Sequence, residues 1–278
     1  MIGHMTTANQ QSLLDLALRL AREAGKLARP RTGQLPLARK ADDSMVTQTD
    51  HDLQEHILSG IAREYPDHAV LAEETTTTLR GFSKPGQARY CWVIDPIDGT
   101  RNFITGFPCF ATSIAVLDAG TPIAAAICEH NQDALFGAAR GCGATLNGRR
   151  ISVRQPPPRE DWLIGGPSTK EPLTTRVLEK IIHTPDFIYR NVGSSAMHLA
   201  WTASGAIAAS FAKRCKIWDI AAGALLVSEA GGRISDVRGG AITPFDVRRN
   251  REEDIPFVAG APEAHARLVA MMREFVKH

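Results

Sequence analysis

The stretch Tyr90-Cys91-Trp92-Val93-Ile94-Asp95-Pro96-Ile97-Asp98-Gly99-Thr100 decides how this chain folds and what it does. Its apolar half predicts a buried strand, and Asp-Pro-Ile-Asp-Gly-Thr predicts a tight turn at the strand's end. Two carboxylates this close raise each other's pKa unless a cation lies between them. Because Mg²⁺ prefers carboxylate oxygens, waters and substrate phosphates, the stretch predicts a magnesium site.

Further acidic residues lie where other strands or loops meet helices, namely Asp50, Glu73, Glu74 and Asp219. Each has an ordinary explanation on its own. Asp219 could cap a helix, Asp50 could be favoured by a helix dipole, and Glu73-Glu74 could be a solvated pair. Their occurrence together with the Asp95–Thr100 turn favours a single shared site.

The rest of the pattern predicts a mixed chain of helices and strands. Apolar residues at helical spacing predict helices over 9–29 and about 49–65, and a short strand follows at 69–72. Strands over 110–117, 123–129 and 134–139 are joined by turn signals, which predicts an antiparallel meander. Beyond them we expect strands near 162–165, 187–190, 207–211 and 256–259, and helices near 172–183, 195–204, 220–230 and 262–276.

Pro156-Pro157-Pro158 is the best candidate for an internal boundary, since consecutive prolines favour a stiff extended connector. Counting from Met5, we predict an N-terminal α+β subdomain over 5–155 that carries the metal site. A C-terminal α/β subdomain over 156–278 would complete the substrate pocket.

Composition excludes several classes of protein. Apolar residues make up 44% and charged residues 22% of the 278, and the net charge is only +2, so nothing favours a nucleic-acid polymer as partner. No apolar run is long enough to span a membrane, and no signal peptide is apparent, so we expect a cytoplasmic protein. The five cysteines show no metal-ligand or disulfide spacing, which is typical of buried thiols in a reducing compartment.

The chain resembles the inositol monophosphatase family, the Mg²⁺-dependent, lithium-sensitive sugar and nucleotide phosphatases. The matching segments, in family order, are Lys40-Ala-Asp with Val46-Thr47-Gln48-Thr49-Asp50, Glu73-Glu74, Trp92 to Thr100, Gly193-Ser194-Ser195-Ala196, and Trp218-Asp219-Ile220-Ala221-Ala222-Gly223. The resemblance implies an α/β (α+β) fold, a layered α-β-α-β-α sandwich, commonly as a homodimer. It also implies hydrolysis of a small soluble phosphate monoester by an activated water.

The resemblance further implies roles for individual residues. Glu73, Asp95 and the carbonyl of Ile97 would hold a first Mg²⁺. Asp95, Asp98 and Asp219 would hold a second, and Glu73 would help to hold a weaker third. Catalytic roles fall to Thr100 and Asp50, which would position the attacking water, with Glu73 and Glu74 beside them. Substrate contacts fall to Lys40 near the waters of the site, to Gly99 and Thr100 at the phosphate, and to Gly193, Ser194 and Ser195 at the rest of the substrate. For the two serines a plain helix cap is the alternative.

The sequence does not decide between several substrates. Ala212 stands where inositol-specific members carry an acid, and Lys213, Arg214 and Lys216 follow it. This basic rim suits a bisphosphorylated sugar or nucleotide, although a solvated basic turn explains it equally well. Arg101 is a further candidate for substrate binding. An arginine after Gly99-Thr100 is similar to the histidinol-phosphate phosphatase members of the family, yet histidinol is cationic and Lys213 and Arg214 would repel it.

An explanation of a different class is a regulatory homologue that binds metal but has lost turnover. The joint presence of all the acidic residues and Thr100 disfavours it.

Overall fold

Seven helices and fourteen strands make up the part of the chain that the computed structural model describes, residues 7–39, 45–76, 78–155, 161–167, 172–249 and 253–275. The helices are α1 (Thr7–Ala28), α2 (Gln48–Glu64), α3 (Thr100–Thr105), α4 (Pro172–Ile182), α5 (Ser195–Ala203), α6 (Ile217–Glu229) and α7 (Pro262–Phe275). The strands are β1 (Ala38–Arg39), β2 (Met45–Val46), β3 (Ala69–Ala72), β4 (Tyr90–Asp98), β5 (Ala111–Asp118), β6 (Thr121–Glu129), β7 (Ala134–Ala139), β8 (Gly143–Leu146), β9 (Arg149–Ile151), β10 (Trp162–Gly165), β11 (Phe187–Arg190), β12 (Ala209–Ala212), β13 (Arg233–Ser235) and β14 (Phe257–Gly260).

The larger sheet has seven strands in the order β3-β4-β5-β6-β7-β8-β9. Only β3 and β4 run parallel, and every later neighbour is antiparallel, so the predicted meander is confirmed. The parallel pair brings the carboxyl ends of β3 and β4 together at one edge of the sheet. The acids that follow β3 therefore lie beside the acids that end β4.

The smaller sheet has five strands in the order β11-β10-β12-β14-β13. β10, β11 and β12 are parallel, whereas β14 is antiparallel to both of its neighbours. The parallel strands β11 and β12 are followed by α5 and α6 respectively, so both of those helices begin at the same side of the sheet.

Helices cover both sheets and separate them. α1 and α2 pack on the outer face of the seven-stranded sheet, α5 and α6 lie between the two sheets, and α4 and α7 cover the five-stranded sheet. Three buried apolar clusters correspond to these layers, and the largest joins residues of both sheets through α5 and α6. The predicted α-β-α-β-α sandwich is confirmed.

Three details differ from the prediction. Strand β4 continues to Asp98, so the tight turn predicted from Asp95 is a bulge within the strand, and the chain turns at Gly99. Helix α6 begins at Ile217 instead of near residue 220, because Lys216 is its N-cap and Asp219 already lies in its first turn. The strands β1, β2, β8, β9 and β13 were not predicted, since they are short and lack the apolar run that made the four-residue strands β3, β10, β11 and β14 recognisable.

The boundary predicted at Pro156-Pro157-Pro158 lies outside the described residues. Among the described helices, none combines the length and apolar character that a membrane span requires.

Candidate metal centre and substrate cavity

The site is centred on a break in the pairing of β4 with β5. Asp95 pairs with Ser113 and Asp98 pairs with Ala111, so β4 advances three residues while β5 advances two. This is a β-bulge, and it falls on Pro96 and Ile97. Proline has no N–H to lose from the ladder, and the extra residue bends the strand so that Asp95 and Asp98 converge.

Three carboxylates meet at the bulge. Asp95, Asp98 and Asp219 each offer one oxygen, and these oxygens all lie within 4.8 Å of one another. Asp95 is 1% exposed, and its Oδ1 has no hydrogen-bond partner among the described residues. Burial, together with the charges of Glu73 and Asp98, raises the pKa of Asp95 well above its usual range.

The donor set fits Mg²⁺. It consists of carboxylate oxygens only, and a hard divalent cation offsets both their mutual repulsion and their desolvation. The unpartnered Oδ1 of Asp95 is the kind of buried acceptor that such an ion would satisfy.

Asp98 accepts hydrogen bonds from residues at the start of α5, far along the chain. Its Oδ2 accepts hydrogen bonds from Ser194 Oγ at 2.6 Å and from the backbone N–H of Ala196 at 2.6 Å. Burial raises the pKa of Asp98 to about 6, and the two hydrogen bonds oppose that rise. The hydroxyl of Ser194, predicted at the substrate, therefore contacts a predicted metal ligand.

Asp50 and Asp219 occupy the same position in two different helices. Each is the third residue of its helix, and its Oδ2 accepts the N–H of the N-cap residue, Thr47 at 2.7 Å and Lys216 at 2.8 Å respectively. The helix start thus fixes one carboxylate oxygen and leaves the other available. Asp50 and Asp219 can therefore stabilise a helix start and contribute to the site at the same time.

Asp50 is the more deeply buried of these two. Its Oδ2 also accepts the Thr47 hydroxyl at 2.6 Å, while its Oδ1 has no hydrogen-bond partner among the described residues. Burial raises the pKa of Asp50 to about 7, and the hydrogen bonds from Thr47 oppose the rise.

Glu73 and Glu74 follow β3, as predicted. The N–H of Glu73 donates to the carbonyl of Ile94 at 3.1 Å, which continues the pairing with β4. Gln54 on α2 then clamps the backbone of Glu74: its Nε2 donates to the carbonyl at 2.7 Å, and its Oε1 accepts the N–H at 3.0 Å. Gln54 was missed, although a polar residue beside the apolar positions Leu53 and Ile57 was a usable signal.

Thr100 and Ile97 contact each other inside the turn. The Thr100 hydroxyl donates to the Ile97 carbonyl at 3.0 Å, so that carbonyl keeps one free lone pair. Thr100 and Asp50, predicted to act together, share no hydrogen bond among the described residues. Gly99, which lies between Ile97 and Thr100 in the sequence, has a φ of 92°. A Cβ there would lie 3.0 Å from the carbonyl oxygen of Cys109.

A chain of hydrogen bonds from His130 through Thr112 holds the bulge at the carbonyl of Pro96. Thr112, opposite the bulge on β5, donates its hydroxyl to the Pro96 carbonyl at 2.8 Å. That hydroxyl is 2.9 Å from His130 Nε2, so Nε2 carries the proton and donates to it. Sequence reasoning missed both residues, because neither belongs to a recognisable motif.

A cavity of about 440 Å³ begins at Gly99 and Thr100, the two residues that follow Asp98. Gly99 and Thr100 line it on one side and Gly193 on the other, and the remaining lining residues are Met45, Arg101, Asn102, Phe107, Asn191 and Val192. Arg101 is exposed there and supplies the cation of that lining. The predicted substrate residues Gly99, Thr100, Arg101 and Gly193 are thus brought together.

Ser195, Lys213 and Arg214 are not among the residues that line this cavity. Ser195 Oγ is 3.2 Å from the Cys215 thiol, and Lys40 lies outside the described residues. Arg214 forms an ion pair with Asp254 at 3.0 Å, and Lys216 reaches the same carboxylate at 3.0 Å. This carboxylate was not foreseen, and it offsets part of the positive charge of the rim that Lys213 and Arg214 begin.

The fold and the site together define the class of protein: a layered α/β sandwich with a carboxylate cluster at a bulged strand end. Comparison with known proteins places the chain within that class. The model of the inositol monophosphatase family matches residues 9–277, and the chain belongs to that family.

Curated relatives and a solved structure agree with this assignment. The chain is 35% identical over 271 residues to the Nus factor SuhB of Escherichia coli, covering 94% of this chain and 96% of the relative. It is 36% identical over 243 residues to the Nus factor SuhB of Pseudomonas aeruginosa, covering 82% and 87%. An IMPase of Thermotoga maritima superposes with a TM-score of 0.84 at 28% identity, covering 96% of this chain and 98% of that one.

Proposed function

We propose that this protein is a Mg²⁺-dependent phosphomonoesterase that hydrolyses a small phosphorylated metabolite. The observation that carries the proposal is the convergence of Asp95, Asp98 and Asp219 within 4.8 Å beside an open cavity. A purely structural cluster of acids would be expected to acquire basic partners, whereas Asp95 keeps a buried carboxylate oxygen unpartnered among the described residues.

Asp95, Asp98 and Asp219 would hold the metal, with Glu73 and the Ile97 carbonyl as further ligands for two or three ions. When bound, Mg²⁺ supplies positive charge that neutralises the phosphate and makes a nearby water more acidic. The protein's own residues orient the reactants around it. Gly99 and Thr100 line the cavity where the phosphate would lie, and the missing Cβ of Gly99 lets this turn pack against the backbone of Cys109.

Asp50 is the candidate general base. Its free Oδ1 is buried, and burial raises its pKa to about 7, which suits proton transfer near neutral pH. Thr100, at the mouth of the cavity, would position the attacking water between the phosphate and Asp50. To do so its hydroxyl would turn away from the Ile97 carbonyl, which accepts it in this structure.

The cavity favours a leaving group that is neutral or anionic. Its lining includes the cation of Arg101, the amide of Asn191 and the apolar side chains of Met45 and Phe107, and no carboxylate belongs to the lining residues. A cationic leaving group such as histidinol would meet the like charge of Arg101 in that lining. Inositol phosphates and sugar or nucleotide bisphosphates therefore remain ahead of histidinol phosphate.

A substrate panel tests the proposal. Inositol 1-phosphate, fructose 1,6-bisphosphate, adenosine 3′,5′-bisphosphate and histidinol phosphate are compared by phosphate release with Mg²⁺ and with EDTA. We expect turnover that needs Mg²⁺ and falls by at least about 10³ in Asp95→Asn, a near-isosteric change that keeps the fold. Turnover that survives EDTA or that substitution would overturn the metal mechanism, and a clear preference for histidinol phosphate would overturn the inference about the cavity.

A second candidate is a regulatory role in transcription, and the name Nus factor carried by the two relatives at 35% and 36% identity favours it. Absence of phosphate release from every monoester in the panel, together with intact Mg²⁺ binding, would favour this role. We also propose that the protein is cytoplasmic and forms a homodimer. Size-exclusion chromatography with light scattering tests the dimer.

A further inference from the structure

Ser194 makes two hydrogen bonds that connect a helix start to the metal centre. Its hydroxyl donates to Asp98 Oδ2 at 2.6 Å and accepts the N–H of Met197 at 3.1 Å, which caps α5. The N–H of Ala196 donates to the same Oδ2 at 2.6 Å. Ser194 is 2% exposed, so little water competes for these bonds.

The contact joins distant parts of the chain. Asp98 ends β4 in the seven-stranded sheet, whereas Ser194 follows β11 of the five-stranded sheet, 96 residues later. The position of Asp98 relative to Asp95 and Asp219 is therefore set by how α5 packs between the sheets as well as by the turn.

Such a constraint matters because the three carboxylates repel one another. An unrestrained Asp98 would lower its energy by rotating away from Asp95 and Asp219. Two donors on Oδ2 oppose that rotation, since they hold one oxygen of the carboxylate in a fixed direction.

We propose that Ser194 is a positioning residue that orients the Asp98 carboxylate for divalent-cation binding, instead of a residue that contacts substrate. Residues that orient metal ligands commonly contribute about 10- to 100-fold in metal affinity. This inference rests on the proposed function only in so far as the site holds Mg²⁺, and it does not depend on turnover.

The test measures Mg²⁺ affinity of the full chain by calorimetric titration without substrate, and repeats it with Mn²⁺ by electron paramagnetic resonance. Ser194→Gly removes the hydroxyl yet leaves a residue tolerated at an N-cap at a cost of only a few tenths of a kcal/mol. Ser194→Thr keeps the hydroxyl. We expect the glycine variant to bind about 10- to 100-fold more weakly, and the threonine variant to stay within about threefold of the unaltered protein.

Ser204→Ala is the matched control. Ser204 caps the other end of α5, and its hydroxyl bonds to the Trp201 carbonyl at 3.2 Å, away from the carboxylates. Metal affinity unchanged in Ser194→Gly would overturn the proposal, and so would equal weakening in Ser194→Thr or in Ser204→Ala. If Ser194→Gly fails to fold, as circular dichroism would show, Ser194→Cys takes its place with the same criteria, because a thiol is close in size to the hydroxyl but donates only weakly.

Turnover separates this proposal from the proposed function. Under saturating Mg²⁺, we expect the KM for a phosphate monoester in Ser194→Gly to stay within about threefold, because the hydroxyl faces Asp98. A KM raised more than tenfold with normal metal affinity would return Ser194 to the substrate and overturn the positioning role. Failure of all turnover, with the metal titration behaving as expected, would overturn the phosphatase proposal alone.

Discussion

His130 is a buried imidazole whose titration should be measurable as a pH-dependent loss of stability. The side chain is fully buried, donates from Nε2 to Thr112, and has no hydrogen-bond partner for Nδ1 among the described residues. Burial, and to a lesser degree the charge of Arg29, lowers the pKa of His130 to about 3. Protonation of Nδ1 would place a charge in an apolar layer, in edge-to-face contact with Phe110.

The sign follows from where protons bind. An unfolded histidine has a pKa of about 6.5. Below that pH the unfolded chain therefore binds a proton at this residue, whereas folded His130 remains unprotonated. The contribution of His130 to stability is therefore complete above about pH 6.5 and is lost as pH falls toward 3. Each pH unit in that window costs about 1.4 kcal/mol, which amounts to about 2 kcal/mol between pH 6.5 and 5.0.

Other groups titrate in the same range, so a variant must isolate His130. Burial lowers the pKa of His198 to about 4, which adds a loss of the same sign, whereas the raised pKa of Asp50, about 7, gives the opposite trend. His130→Gln keeps a donor near the position of Nε2 and cannot be protonated. The difference between the two proteins cancels the contributions that they share.

Urea unfolding at pH 5.0, 6.0, 6.5 and 7.5 measures that difference. Above pH 6.5 we expect His130→Gln to be less stable by about 1–2 kcal/mol, because the ring's packing is lost. By pH 5.0 the gap should close by about 2 kcal/mol. A gap that stays constant within about 0.5 kcal/mol over this range would refute the reasoning, because it would mean that folded and unfolded His130 bind protons alike.

Three further predictions concern separate regions. Gly99→Ala should destabilise the protein by roughly 1–2 kcal/mol, since φ is 92° there; unchanged urea unfolding would contradict this. At pH 8, Ellman's reagent should rapidly modify only Cys142, because the other four cysteines are buried; fast labelling of more than one thiol in the native protein would argue against this packing. Asp254→Asn should release Arg214 and Lys216 and raise kcat/KM for bisphosphates relative to monophosphates; an unchanged ratio would remove the rim from substrate recognition.

Local sequence determined the elements that carry the site. The apolar run before Asp95 forms the buried strand that it predicts. The turn predicted from Asp95 is displaced, because β4 continues to Asp98 through a bulge at Pro96 and Ile97 and the chain turns at Gly99, where φ is 92°. Strand alternation and helical spacing likewise predicted the meander and the long helices. These features depend on neighbours within about ten residues, which is why the sequence alone could predict them.

Tertiary structure decided which groups meet at the site and what they do there. Nothing local predicts that Ser194 reaches Asp98 across 96 residues, that Thr112 and His130 hold the Pro96 carbonyl, or that Asp254 pairs with the basic rim. Such contacts depend on how two sheets and the helices between them pack, and many sequences satisfy the same packing. The sequence by itself therefore determined the strand, the turn and the acids, while the packing of α5 and β5 against them decided the direction in which each carboxylate points.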